Sequence, residues 1–544
     1  MRSIFLILAF FLLCNSSIAV PAAKNNARQD ESLVAPTVTI DSGVVIGVQT
    51  RVSNSPNKVN KYLGLPFAAS PTRFAPPQTA TPWSKPYMAT QNGPACVQQF
   101  NYPEFNRNFT ISAFNTPAPP ESEDCLHLNI FAPAGALASG NLKPVMFWLY
   151  GGSLQFGSNG QAIYDASTFA ANEDVIIIAA NYRTNLFGFP SSSSLPLRAR
   201  NLGYLDQRFA LRWVQRNIAS FGGDRSRVTI FGESAGGFSV DSLVTSFGPS
   251  NPDGPPPFYA AIMQSGQTSV NPGFSADDTS WPRLIAALNC TTSDEIACAR
   301  AVPAATLKDI IEHAALPFRP TFDNYTQLQY AEAARRAGEI AKVPVITGST
   351  ADEGSLFTFT QTDTGSWLRS LGLTNTQIEL VLATYPIGQR GITSPASQTA
   401  AILTDLRFQC PSAIFANDSA LHVPTWRYYY NATFSFSQGV IPGLDLGAFH
   451  GSEVPILFGT TETYGPIPEN GKRLNELVQN MWATFARNPA GGPAPGWEGA
   501  GSGFVQIIGG PNGADAEGRL RKAGLGAELD DRRCEIWRAA YGSI

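Results

Sequence analysis

A serine, a histidine and a carboxylate can act together as a nucleophile, its base and the group that orients the base. One serine in this sequence stands in a setting suited to attack. Val228-Thr229-Ile230-Phe231 has strand character and runs directly into Gly232-Glu233-Ser234-Ala235-Gly236, with a further small residue, Gly237, behind it. A strand that must turn at once into a helix strains the backbone of its middle residue. Small neighbours two positions before and two after then avoid clashes. Ser234 would stand above the carboxyl edge of a sheet, and the first amides of the following helix would point at the same spot. The chemistry so prepared is attack on a carbonyl carbon. A lone pattern of this kind also arises by chance in a chain of 544 residues, so the partners must be sought elsewhere.

On a sheet with such an elbow the partners follow in the order nucleophile, acid, histidine, and the chain has only four histidines. His127 precedes the elbow inside a strand pattern and reads as structural. His313 sits in a helical run, Leu307 to Ala315. His422 enters a strand at Val423-Pro424 and is a weak candidate. His450 lies in Leu446-Gly447-Ala448-Phe449-His450-Gly451-Ser452-Glu453, a small-residue loop after the late strands. A base that swings between nucleophile and leaving group needs such a setting, so His450 is the expected base. The acid belongs at a strand end between Ser234 and His450. Asp352 and Glu353 both follow the strand pattern Val343 to Thr347, and spacing does not choose between them. A developing oxyanion needs amide donors about 3 Å away. Gly151-Gly152-Ser153 after another buried-strand pattern can supply them, with Ala235 at the helix start. No P-loop lysine or spaced G-x-G-x-x-G follows, so a phosphate cradle is the poorer reading.

These residues need a rigid frame, and the sequence predicts one. Pro144 to Tyr150 and Val175 to Tyr182 are continuously apolar, as in strands buried on both faces. Leu126 to Pro133, Ala260 to Gly266, Val343 to Gly348 and Trp426 to Tyr430 read as further strands. Asp206 to Ser220 and Leu474 to Asn488 read as helices. This alternation predicts an α/β fold with a large, mostly parallel central sheet flanked by helices. Thr37 to Val48 is expected to be an opening hairpin turning at Asp41-Ser42-Gly43. The proline-dense stretch from Tyr62 to Pro77 is expected to be extended loop. Cys96 to Cys125 holds five aromatics without helical periodicity and reads as a flap. Ala490 to Gly513 reads as ordered surface loop. No repeat and no linker interrupts residues 20–544, which are expected to form one domain.

Arg2, the apolar run Ile4 to Leu13 and the small residues Ser17-Ile18-Ala19 read as a secretory signal over residues 1–19. The apolar run is shorter than the ~20 residues of a spanning helix, and no later segment approaches that length. Six cysteines remain after the signal, as expected for three bridges in an oxidising compartment. Asn108, Asn289, Asn324, Asn417 and Asn431 are each followed by x-Ser/Thr, as glycosylation acceptors of a secreted glycoprotein. A net charge of −4 without a basic tract argues against a nucleic-acid partner. With no C-x-x-C or H-x-x-x-H spacing, no metal is expected, and no cofactor is called for.

Phe221-Gly222-Gly223-Asp224, Gly232-Glu233-Ser234-Ala235-Gly236 and Ser122-Glu123-Asp124-Cys125-Leu126-His127-Leu128-Asn129 together resemble the type-B carboxylesterase family. This is the cholinesterase-like branch of the α/β-hydrolases, which includes secreted fungal lipases. Asn181-Tyr182-Arg183, Leu205-Asp206-Gln207-Arg208 and Met263-Gln264-Ser265-Gly266 extend the resemblance over nearly the whole mature chain. It implies an α/β-hydrolase fold with a flap over the site, and a secreted, fungal source. It implies Ser234 as nucleophile, Glu353 rather than Asp352 as acid, His450 as base, and Gly152, Ser153 and Ala235 as oxyanion donors. It also implies the bridges Cys96–Cys125, Cys290–Cys298 and Cys410–Cys534.

Two departures bear on substrate. Ser153 stands where relatives commonly carry a third glycine. No tryptophan lies between Cys96 and Cys125 to hold a quaternary ammonium by cation–π attraction, which argues against choline esters. The expected function is a secreted serine esterase, monomeric or homodimeric, acting on small-molecule or lipid esters. A triacylglycerol lipase is the alternative, and a non-catalytic adhesion module a remote one.

Overall fold

Runs of β-branched and aromatic residues bury best where strands are covered on both faces, and those of this chain collect in one sheet. The computed structural model describes residues 33–542 apart from 54, 138–139, 268–269, 271–278, 435–440, 442–443, 464, 466, 511–518, 523–528 and 530. The expected signal at residues 1–19 lies outside the described residues. The described residues from Ala35 onward gather into one compact unit.

The strands in chain order are β1 (Thr37–Ile40), β2 (Gly43–Ile46), β3 (Val48–Arg51), β4 (Lys58–Pro66), β5 (Tyr87–Met88), β6 (His127–Pro133) and β7 (Lys143–Leu149), then β8 (Ile176–Ala180), β9 (Gly223–Glu233), β10 (Ala260–Gln264), β11 (Val345–Thr350), β12 (Thr425–Tyr430), β13 (Phe504–Ile508) and β14 (Arg519–Lys522). Among the described residues they form an eleven-stranded sheet, ordered β14-β13-β12-β11-β10-β9-β7-β8-β6-β4-β3, and a small sheet of β1, β2 and β5. From β8 across to β13 every neighbouring pair is parallel. The outer pairs at both ends are antiparallel.

The parallel centre is the best-packed part. Val145 to Tyr150 on and after β7, and Ile176 to Ala179 on β8, are wholly buried. Each large side chain there gains about 1.5–3 kcal/mol over exposure. The helix Ala235–Ser246 follows β9 directly, is buried along its whole length and lies on β9 and β10. The strongly amphipathic helix Glu469–Arg487 turns Leu474, Val478, Met481, Trp482 and Phe485 inward, against β7 and β9.

The sequence reading is corrected in four places. The opening hairpin is β1 and β2 around Asp41-Ser42, but it ends at Ile46 because Val48 starts β3 in the large sheet. Tyr62 to Pro66 belongs to β4 rather than to a loop. Its alternation was hidden by the irregularity between Tyr62 and Leu65, where Gly64 turns at φ 66°. The Cys96–Cys125 flap contains a helix, Glu104–Phe114, none of whose residues is buried. A helix whose apolar residues are at most half-buried leaves only a weak periodic signal. Within Ala490–Gly513 the strand β13 joins the sheet, and its flanking glycines masked it.

The described cysteines close three disulfides, Cys96–Cys125, Cys290–Cys298 and Cys410–Cys534. Asn108, Asn289, Asn324 and Asn417 are exposed, whereas Asn431 is half-buried. No helix among the described residues is long and apolar enough to cross a membrane.

Candidate active site

Four loops at the carboxyl ends of parallel strands meet over the middle of the sheet, where an α/β fold places its ligands. The first is the elbow. Ser234 has φ 55° and ψ −120°, a conformation costly for any side chain, between the end of β9 and the helix Ala235–Ser246. The structure keeps it there by tight packing. A Cβ on Gly236 would lie 1.9 Å from the Leu149 carbonyl oxygen, and one on Gly232 would lie 2.6 Å from the Gly236 carbonyl carbon. The Ser234 amide donates to the Gln264 carbonyl at 2.9 Å, and its carbonyl accepts the Phe238 amide, which locks the turn.

The second loop follows β7. Gly152 has φ 106° and Ser153 φ 57°. Among the described residues, their amides make no hydrogen bond. The Ser153 side chain is exposed. The third loop follows β11 and carries both acids, which the structure separates. Asp352 pairs with the loop that carries His450: its amide donates to the Ala448 carbonyl at 2.9 Å, and its Oδ2 accepts the Ala448 amide at 2.9 Å. Glu353 is wholly buried. Its Oε1 accepts from the Ser265 hydroxyl at 2.6 Å and from the Thr350 amide at 2.7 Å, and its Oε2 meets His450 Nδ1 at 2.5 Å. The fourth loop presents His450. The other histidines stand elsewhere: His313 contacts Asp309 and Tyr102, His422 the Arg336 carbonyl, and His127 begins β6.

His450 Nε2 lies 3.1 Å from Glu233 Oε1. No hydrogen bond to the Ser234 hydroxyl is formed among the described residues. The imidazole is thus gripped at Nδ1 by Glu353 and faces, at Nε2, the residue next to the serine. A third carboxylate, Glu453, is buried nearby; its Oε1 accepts from Gln264 at 3.1 Å. Its Oε2 and the hydroxyls of Tyr428 and Ser452 are buried without a partner among the described residues. Burial by itself lowers the pKa of His450, but Glu233, Glu353 and Glu453 outweigh it and raise the group to about 9. Burial raises Glu233 and Glu453, and the mutual repulsion of the carboxylates adds to it, while His450 pulls Glu233 back. Glu233 and Glu453 therefore retain their carboxyl protons above the ordinary range.

The family described as the carboxylesterase family matches residues 34–504. The chain belongs to the carboxylesterase family. Membership makes it a carboxylic-ester hydrolase by enzyme class, with an α/β-hydrolase fold. It is 32% identical over 458 residues to the para-nitrobenzyl esterase of Bacillus subtilis (strain 168), covering 80% of this chain and 88% of that one. It is 32% identical over 503 residues to carboxylesterase 1D of Mus musculus, covering 85% and 87%. It is also 32% identical over 505 residues to secreted lipase 1 of Botryotinia fuckeliana (strain B05.10), covering 82% and 85%.

Sequence reasoning passed over four residues that this carboxylesterase brings to the site. Ser265 and Glu453 stood inside stretches already singled out, as a hydroxyl and a carboxylate among small residues. Glu233 lay within the elbow itself. Phe408, whose ring centroid is 4.6 Å from that of His450, gave no signal, because its placement depends on a turn of unusual pitch.

Proposed function

We propose that the protein is a secreted serine esterase that works through an acyl-enzyme. Ser234 attacks the ester carbonyl, His450 takes its proton at Nε2 and later returns it to the leaving alcohol, and Glu353 stabilises the imidazolium through Nδ1. Gly152, Ser153 and Ala235 donate their amides to the oxyanion. The observation that carries this reading is the short Glu353–His450 contact beside an elbow serine held at positive φ. In the resting arrangement Nε2 faces Glu233, so attack requires the imidazole to turn toward Ser234 while Nδ1 stays on Glu353. The reading includes removal of residues 1–19, one domain over residues 20–544, and glycans on the exposed acceptors.

A second reading, lipase, is favoured by apolar surface near the site. Phe109 and Phe114 of the flap helix pack on Leu356, Leu446 and Phe449, and Phe105 of the same helix is exposed. Purified Ser234→Ala is the test of the esterase reading. Loss of p-nitrophenyl ester hydrolysis by several powers of ten is expected, and near-wild-type turnover would sink it. A rate jump when emulsified long-chain glycerides replace soluble short-chain esters would decide for lipase.

A further inference from the structure

The helical stretch Pro395–Ser419 is broken in its middle by one turn of π-helix, Asp405–Gln409. Such a turn inserts a residue, re-aims the side chains after it, and is rare unless its surroundings enforce it. Here it carries Phe408. Its ring lies against the His450 imidazole, with centroids 4.6 Å apart, and stacks on Phe357, which itself lies 5.2 Å from that imidazole. The two phenyl rings therefore bound the space in which the imidazole tilts between Glu233 and Ser234.

The Tyr385 hydroxyl donates to Asp405 Oδ2 at 2.7 Å and the Ser349 hydroxyl to Gln409 Oε1 at 2.9 Å, and the C-terminal segment, Asp531–Cys534 followed by the helix Glu535–Gly542, adds further holds on the turn. Arg533 Nε lies 3.1 Å from Asp405 Oδ2. The Tyr541 hydroxyl donates to the Leu406 carbonyl at 2.7 Å. Gln409 Nε2 donates to Asp531 Oδ1 at 2.9 Å. Cys534 is bonded to Cys410, the first residue after the turn. The tail thus holds the turn at its start, its second residue and its end. Beside it a cavity of about 610 Å³, lined in part by Thr404, Asp405, Gln409 and Arg533, leaves that side without close packing.

We propose that the C-terminal segment is a clamp that sets the tilt of His450 through Phe408, which makes Phe408 a positioning residue for the reaction. The proposal rests on the reading of His450 as the base. Loosening the clamp lets the Phe408 ring leave the imidazole, so proton transfer to and from Ser234 slows while substrate binding is little changed.

The test is a double-mutant cycle in the full chain, reading kcat and KM on a p-nitrophenyl ester, thermal unfolding, and labelling of Ser234 by a fluorophosphonate. Tyr541→Phe removes one hydrogen bond and is expected to fold; Phe408→Leu removes the ring. Tyr541→Phe is expected to lower kcat about 3-fold and Phe408→Leu about 10-fold, each with KM nearly unchanged, and the double variant to match Phe408→Leu alone, since residues acting as one unit are not additive. Phe408→Tyr is expected to restore wild-type kcat. Losses that multiply in the double variant overturn the clamp, as does a lowered unfolding temperature with kcat unaffected. Absence of fluorophosphonate labelling in the wild-type chain overturns both the clamp and the triad, whereas full labelling with multiplying losses overturns the clamp alone.

Discussion

Removing the charge of Glu233 should move the pH dependence of hydrolysis in a known direction. On the proposed mechanism His450 must be neutral to take a proton from Ser234, so activity rises with pH through its pKa, which the surrounding carboxylates raise to about 9 against the opposing effect of burial. Glu233 Oε1 is 3.1 Å from Nε2, where two unit charges attract by about 1.3 kcal/mol in a medium like water and by about 5 kcal/mol at an effective dielectric constant of about 20. At about 1.4 kcal/mol per pH unit, this bounds the contribution of Glu233 between about one and about four units. Glu233 is itself pushed toward its neutral form by burial, which places the expected value toward the lower bound. Glu233→Gln keeps the shape and removes the charge, so the imidazolium loses support and its pKa falls. The acid limb of kcat/KM on p-nitrophenyl acetate should then shift down by at least about one pH unit. An acid limb that stays in place, or moves up, refutes the reasoning that Glu233 holds the proton on His450.

Three further outcomes follow from the same structure. Glu453→Gln should stabilise the protein more at pH 8 than at pH 5. Burial and the neighbouring carboxylates raise the folded-state pKa of Glu453, so wild-type stability declines as pH climbs from the unfolded value toward the folded one, and the amide abolishes that decline; unfolding temperatures across this range are the check. Replacing Cys96 and Cys125 together by serine opens a loop of sequence separation 29, with an expected loss of roughly 3.6 kcal/mol by chain entropy, read from denaturant unfolding. Ser153→Gly relieves a side chain from φ 57° and keeps the amide. It should add about 1 kcal/mol of stability with hydrolysis preserved, which denaturant unfolding and steady-state rates check together.

The part of the molecule legible from sequence was the part governed by short-range rules. Buried parallel strands such as β7 and β8 announce themselves as continuous apolar runs, and the elbow needs its glycines within two residues of Ser234. The pairing order at the sheet edges and the flap helix Glu104–Phe114 were not legible, since neither leaves more than a weak periodic apolar pattern. At the site, residue types and chain order narrowed the candidate base to His450, but choosing between Asp352 and Glu353 as candidate acid needed the resemblance. In the structure Asp352 pairs with the Ala448 backbone, whereas Glu353 contacts the His450 imidazole. Glu453 and Phe408 lay beyond sequence reasoning because their surroundings are set by contacts far along the chain, Gln264 for one and the C-terminal segment for the other.

The central claim is that Ser234 carries the acyl group during turnover. Incubation of the protein with a fluorophosphonate, followed by proteolysis and peptide mass measurement, tests it directly. The account predicts one adduct per chain, on Ser234, and its disappearance together with hydrolysis in His450→Ala. An adduct on another residue, or ester hydrolysis that continues after Ser234 is blocked, contradicts it.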